Sequence, residues 1–150
     1  MDPTDRRILA VLQRRGDISH AELADATASS PASCWRRVKA LEQAGVLGAA
    51  VRLVDARAVG LNVNVMCSIR ITRHSGDTRS AFEAFVAGRD EIVECFSMSG
   101  EWDYLLRVVA ADVEAYNRFL MHNLLGHPAV AQAASHFVLQ MVKYTTALPV

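Results

Sequence analysis

Two groups of residues in this sequence have types and spacings that could do chemistry. The first is Ser30-Pro31-Ala32-Ser33-Cys34-Trp35-Arg36-Arg37-Val38-Lys39-Ala40-Leu41. Cys34, Val38 and Leu41 fall at i, i+4 and i+7, one apolar stripe of a helix. The other side then shows Ser33, Arg36, Arg37 and Ala40, with Lys39 on the flank and Ser30 capping the start. Arginines reach phosphate oxygens or the acceptor edge of guanine, and small residues let a helix backbone come close to bases. A generic helix with a solvated charged face would use the same residues. The second group is Gly100-Glu101-Trp102-Asp103, a turn in which a glycine leaves the backbone open to close approach beside a carboxylate.

The elements that must position the first group are short helices. Asp2-Pro3 opens one, with Ile8, Leu9 and Leu12 on its apolar side and Gly16 at its end. Ser19-His20-Ala21-Glu22 has the capping-box pattern and starts another, with Leu23 and Ala26 facing inward. A polar break at Thr27-Ala28-Ser29 precedes the cap-and-proline start Ser30-Pro31, and Gly45 stops the third helix. Two helices separated by so few residues make a helix-turn-helix, whose second helix enters the major groove. Val46–Leu53 reads as a short hairpin or wing around Gly48, and residues 54–62 read as a linker.

From residue 63 the period changes. Val63, Val65, Cys67, Ile69 and Ile71 alternate with polar neighbours, the signature of a half-buried strand. A helix follows at Thr78–Ala87, then strands at Glu91–Ser99 and Asp103–Ala110. Asp112 caps a helix running to about Leu125, Gly126-His127-Pro128 breaks it, and Val130–Lys143 is a last strand region. The order β-α-β-β-α-β is ferredoxin-like. The expected architecture is therefore α+β: a winged helix-turn-helix over residues 1–53 and a ferredoxin-like domain over 63–150. The helices cover one sheet face. If the other carries Met66, Phe96 and Met98, a second copy of the chain is the natural cover.

Composition narrows the class. Just over half of the 150 residues are apolar, which argues against disorder. No apolar run approaches the ~20 residues of a membrane helix, so a cytoplasmic address is expected, with no membrane partner. Net charge is zero, and residues 1–57 carry nine Lys/Arg against seven Asp/Glu. That asymmetry is too small to argue for nucleic acid by itself. Cys34, Cys67 and Cys95 are widely spaced and have no zinc-ligand pattern, so they read as small buried hydrophobes, and no metal or cofactor is expected.

The chain resembles the leucine-responsive/asparagine-regulator (Lrp/AsnC) family of transcription regulators. The resemblance is carried by Asp5–Leu9, Ile18-Ser19 with Glu22–Ala24, Cys34–Glu42, Gly45–Gly48, Ser99–Val108 and Val142–Pro149, in the family's order over nearly the whole chain. The tail Lys143–Pro149 looks like a branch that includes a cysteine-responsive regulator. Two positions depart from the family. Ala28-Ser29 stands where the family has Gly or Asn and then Leu, and Ser33 stands where a proline often precedes the Cys-Trp pair.

The resemblance implies a regulator that binds double-stranded DNA through Ser30, Ser33, Arg36, Arg37, Lys39 and Ala40. Trp35 is expected at the helix edge rather than on a base. The resemblance further implies a homodimer, with higher assemblies such as an octamer. A small amino acid would bind in a cleft between subunits near the Gly100–Asp103 turn. A zwitterion needs an acceptor for its ammonium and N–H donors for its carboxylate. Gly100, Trp102 and Asp103 are candidates at the turn, and Asp103 could equally serve to stabilise it. Val113, Leu125, His136, Phe137 and Val138 would lie near the family's response region. Two other readings use the same architecture. One is a haem-pathway decarboxylase, which needs a tetrapyrrole cavity lined with cationic or histidine groups, a set for which His122, His127 and His136 could be mistaken. The other is an assembly module whose helix-turn-helix no longer binds DNA.

Overall fold

The computed structural model describes all of residues 1–150, which separate into two units: Met1–Leu53 with Val142–Val150, and Val54–Met141.

The first unit holds α1 (Pro3–Leu12), α2 (His20–Thr27) and α3 (Pro31–Gln43). Each helix is started by a side chain named from the sequence. Asp2 accepts from the Thr4 and Asp5 N–H groups, and Asp5 returns a carboxylate to the Asp2 N–H. Ser19 and Glu22 form the same reciprocal pair at α2, and Ser30 caps α3 through the Ser33 N–H. These contacts satisfy donors that the first helical turn leaves orphaned. The core is Ile8, Leu9, Leu23, Ala24, Cys34, Val38 and Leu41, the stripe expected on α3 together with its partners. Thr27 is the buried polar residue, satisfied by donating to the Leu23 carbonyl at 2.7 Å.

The turn between α2 and α3 is closed by Ser29 N–H donating to the Ala24 carbonyl at 2.9 Å. That closure needs a left-handed residue at position 28. Ala28 supplies it with φ 50° and ψ 53°, and no other non-glycine residue has positive φ. An alanine held there is strained by its Cβ. Ala28→Gly is therefore expected to stabilise the first unit by about 1 kcal/mol, read as a raised midpoint in urea with unchanged slope. A lowered midpoint would mean that the strain is absent.

Two sequence expectations are corrected in this unit. Val46–Leu53 forms no hairpin: no strand is paired there, and Val51 and Leu53 stand exposed. Too few residues flank Gly48 to build a ladder with a buried face of its own. The tail Val142–Val150 groups with the first unit and not with the ferredoxin-like domain. Gln13 on α1 holds it there, donating to the Leu148 carbonyl at 3.2 Å and accepting from the Leu148 N–H.

The second unit is an antiparallel sheet of β1 (Val63–Ile71), β2 (Ile92–Ser97), β3 (Tyr104–Ala110) and β4 (Val130–Phe137), in the order β2-β3-β1-β4. Helices α4 (Gly76–Ala87) and α5 (Val113–Phe119) cover one face, and α5 continues into a π-helical turn at Leu120–Leu124. The strand predicted over Val130–Lys143 ends at Phe137, after which Val138 makes one more bond, to the Asn64 carbonyl. The covered face buries Val65, Cys67, Ile69, Tyr104, Leu106 and Val108 against Phe82, Tyr116, Phe119 and Leu124. Register fixes the other face. Met66 lies opposite Arg107 and His136, and Leu105 lies opposite Ser68 and Phe96.

Candidate DNA-binding helix and effector region

On α3, ~100° of rotation per residue places Ala32, Arg36 and Gln43 opposite the buried stripe. Ser33 and Ala40 lie to one side of them, and Trp35 and Lys39 to the other. Arg36 is exposed and pairs with no carboxylate. Lys39 is exposed and bonded to Glu42 at 2.8 Å. Ser30 and Ala40 are exposed and Ser33 is half-buried.

Arg37 differs from Arg36. Its guanidinium lies 2.6 Å from Asp2 and 2.7 Å from Asp5, tying α3 to the start of α1. Its Nε is enclosed without a partner. The two carboxylates hold Arg37 firmly protonated. The Asp5 backbone N–H and then Arg37 pull the Asp2 carboxyl below its ordinary value. The sequence carried the signal: Arg37 is i+3 from Cys34 and i−4 from Leu41, so it flanks the buried stripe. Of the six candidates, Arg37 is the one the structure turns away from Arg36. Ala32 and Gln43, not singled out from sequence, join Arg36 on the exposed face. Trp35, expected to pack at the helix edge, is 54% exposed.

A groove of about 830 Å³ also belongs to this unit, lined by Leu12, Ile18, Val38, Lys39, Glu42 and the segment Leu47–Leu53. It lies on the Lys39 side of α3 and involves none of the effector candidates.

In the second unit, Gly100 turns the chain between β2 and β3 with φ 109°. The loop is closed by Met98 N–H donating to the Asp103 carbonyl at 2.9 Å. Both Asp103 carboxylate oxygens are engaged within the fold. One accepts from the Ile71 N–H at 2.9 Å, and the other lies 2.7 Å from His74 Nε2. Partial burial works to raise the Asp103 pKa. The Ile71 N–H, His74 and Arg79 outweigh it, and the carboxyl titrates below its ordinary value. Asp103 thus holds the turn. Trp102 is half-buried, with the Arg70 guanidinium 5.2 Å over its ring, and Arg70 also bonds Glu101. His74 and Arg70 escaped the sequence reading because β1 and the following loop deliver them from some thirty residues away.

The remaining effector candidates are placed elsewhere. His136, Phe137 and Val138 sit beside Met66, Val65 and Asn64 at the beginning of β1, whereas Asp103 sits beside Ile69 and Ile71 at its end. Four to six residues of strand separate these positions, about 13–20 Å. Val113, the first residue of α5, is exposed, and Leu125 is 41% exposed after the π turn. His136 faces the open side of the sheet. Phe137 faces the helices and meets Tyr116 edge-on at 5.5 Å. Within one chain the effector candidates therefore form two groups and not one pocket.

His122, His127 and His136 do not converge either. His127 packs on Phe85 at 4.7 Å, and its Nδ1 accepts from the Ala129 N–H. Burial, and then Arg89, lower its pKa. A neutral His127 is thus favoured by folding. The stability it contributes is complete above the unfolded value near 6.5 and declines as pH falls below it. In His127→Gln, the loss of second-unit stability between pH 7 and 5 should become shallower than in the wild type, measured by urea midpoints. An identical pH profile would refute the assignment. No three His, Cys, Asp or Glu side chains are placed to hold a metal ion, and no helix is long and apolar enough to cross a membrane.

An exposed recognition helix on a capped three-helix unit, joined to a four-stranded sheet covered by helices on one face, defines a two-part DNA-binding regulator. Comparison with known proteins gives the same result. Residues 1–47 match a winged helix-turn-helix DNA-binding model, and residues 64–148 match the Lrp/AsnC ligand-binding domain. The chain is 34% identical over 150 residues to the DNA-binding transcriptional activator DecR of Escherichia coli strain K12, covering 100% of this chain and 99% of that protein. It is 34% identical over 148 residues to the leucine-responsive regulatory protein of Salmonella typhimurium, covering 99% and 90%. Among solved structures, a transcriptional regulator of Neisseria meningitidis in complex with L-Met superposes with a TM-score of 0.95 at 39% identity, covering 99% of this chain and 96% of that one. The chain belongs to the Lrp/AsnC family of DNA-binding transcription regulators.

Proposed function

We propose that this regulator binds a small amino acid between copies of itself, and that binding shifts its assembly or its affinity for DNA. The observation that carries this reading is the two-group arrangement of the effector candidates. Gly100, Trp102 and Asp103 at one end of β1 lie about 13–20 Å from His136, Phe137 and Val138, so a ligand of amino-acid size meets both groups only across a subunit boundary. The open backbone at Gly100 would receive the ligand, with Asp103 fixing the shape of the turn. The N. meningitidis relative binds L-Met, which supports the ligand class.

The partner for assembly is a second copy. The open sheet face presents Met66, Leu105 and a half-exposed Phe96, with Met98 exposed at its edge. Monomers rarely leave such a patch uncovered. Pairing two helix-turn-helix units places their recognition helices on half-sites about one turn of duplex apart. Dimers would assemble further, with an octamer as the expected closed form. Ser30, Ser33, Arg36, Lys39 and Ala40 are the DNA-facing set, and Arg37 positions the helix that carries them.

The test is a mobility shift on the DNA upstream of the protein's own gene, with sedimentation in parallel. Both are run against L-Met, L-Leu, L-Cys and the other small amino acids. One or more should change the midpoint of DNA binding or the mass of the assembly. A flat response of both measurements to the whole panel would remove the effector reading and leave the DNA-binding function standing. Regulation by the assembly alone would then be the working account.

A further inference from the structure

We propose that Trp35 is a specificity-determining residue of the recognition helix, and that its indole packs on a thymine methyl in the major groove. This rests on the DNA-binding function and adds to it a base preference.

Three observations converge on the indole. Trp35 is 54% exposed on a helix whose buried stripe, Cys34, Val38 and Leu41, is otherwise fully formed. It makes no aromatic or cation–π contact, whereas the other tryptophan, Trp102, lies under Arg70. It precedes Lys39 by one turn and lies on the flank where Lys39 borders the segment Leu47–Leu53. An exposed indole at that place is continuous with the face that carries Arg36, so the occupant is the duplex itself.

The charges on α3 say what kind of contact it makes. Arg37 is held by Asp2 and Asp5, and Lys39 by Glu42, so Arg36 is the cation of this helix free of an intramolecular partner. Around it the exposed face is Ala32, Ala40, Gln43 and Trp35, with Ser33 half-buried at its side. Arg36 and Gln43 are the groups on this surface that can make bidentate bonds to bases, and Trp35 supplies its apolar area. In the major groove the apolar group on a base edge is the thymine C5 methyl. The indole N–H remains free to reach a neighbouring acceptor.

The test begins with wild-type protein and a pool of random-sequence duplexes, from which a preferred site is enriched. Failure to enrich any duplex would count against the DNA-binding function itself and is thereby separated from failure of this inference. Each thymine of the enriched site is then replaced by deoxyuridine, which removes only the methyl. At one position per half-site, wild-type affinity should fall about fourfold, the value of one buried methyl. Trp35→Ala should bind thymine and deoxyuridine duplexes equally at that position, and Trp35→Phe should keep part of the difference. In Trp102→Phe, where Trp35 is the remaining tryptophan, bound duplex should shield its selectively excited emission from acrylamide. Equal wild-type affinity at every replaced thymine would overturn the proposal, as would unchanged acrylamide access on binding. Neither readout depends on the folding of Trp35→Ala.

Discussion

Arg36→Ala will bind DNA about tenfold or more weakly, and its affinity will respond less steeply to salt, while the thermal midpoint of the first unit stays where it was. Arg37→Ala will do the reverse. The two residues are neighbours in sequence and carry the same charge, yet they have different surroundings. Arg36 points away from the buried stripe, is exposed, and has no carboxylate partner. Its deletion removes nothing from the fold. Against a duplex it would neutralise a phosphate or read a guanine. Loss of a phosphate contact lowers the slope of log affinity against log salt by about one. Loss of a good bidentate base contact costs roughly ten- to a hundredfold. Arg37 carries a double ion pair that fastens α3 to the first turn of α1. Its removal leaves Asp2 and Asp5 facing each other across the capping box that opens α1. The unfolding midpoint of the first unit should then fall, and DNA affinity should fall with it because the recognition helix is less firmly held, at an unchanged salt slope. Arg37→Lys will not restore the midpoint fully, since a single ammonium lacks the fork geometry that reaches two carboxylates. Salt titrations of binding on all three variants, with thermal melts in parallel, give the result. An unchanged slope in Arg36→Ala would remove Arg36 from the DNA contact. A lowered slope with an unshifted melt in Arg37→Ala would move Arg37 into it.

Most of the architecture was legible because local rules and the global fold agree. Asp2, Ser19, Ser30 and Asp112 each cap the helix they were expected to cap. The period-two run from Val63 to Ile71 became β1, with its apolar positions on the covered face. Illegible features were those fixed by contacts distant in sequence. Nothing near Arg37 shows that two aspartates some thirty residues upstream will claim it. Nothing near Asp103 shows that His74 and the Ile71 N–H will take its oxygens. The strand region expected over Val130–Lys143 is too long at its end. The chain leaves the sheet after Val138, and Gln13 holds the tail Val142–Val150 by bonds to the Leu148 backbone that any residue at 148 could make except for proline's lost donor. The hairpin over Val46–Leu53 is absent for a related reason. Val46–Leu53 has strand-forming residues, but a lone hairpin needs a surface to lie on, and a surface is a tertiary property.

Gly126→Ala will destabilise the second unit by about 2–3 kcal/mol, a large effect for one added methyl. Gly126 follows the π turn, in which the Leu125 N–H reaches back to the Leu120 carbonyl at 2.8 Å. This wider winding brings the His122 carbonyl against the glycine. A Cβ built at 126 would stand 2.6 Å from that oxygen and 3.3 Å from its carbon. Both colliding groups are backbone, so no rotamer change relieves the clash, and the turn itself must move. Leu124, fully buried, sits inside that turn. On its far side the Ala129 carbonyl accepts from the Thr72 N–H and joins the break to the end of β1. Straightening the turn to an ordinary helix would pull Leu124 from the core and displace Leu125. The control is Gly88→Ala at the end of α4. There φ is −95°, and the added carbon would meet its nearest atoms at 3.7 and 3.8 Å, ordinary contact. Gly88→Ala should therefore be close to neutral. Urea unfolding of both variants, followed by a probe in the second unit, separates the cases. Equal stability of the two variants would mean that the π turn yields freely. A loss confined to Gly126→Ala would make this turn a rigid support, one that holds Leu124 in the core.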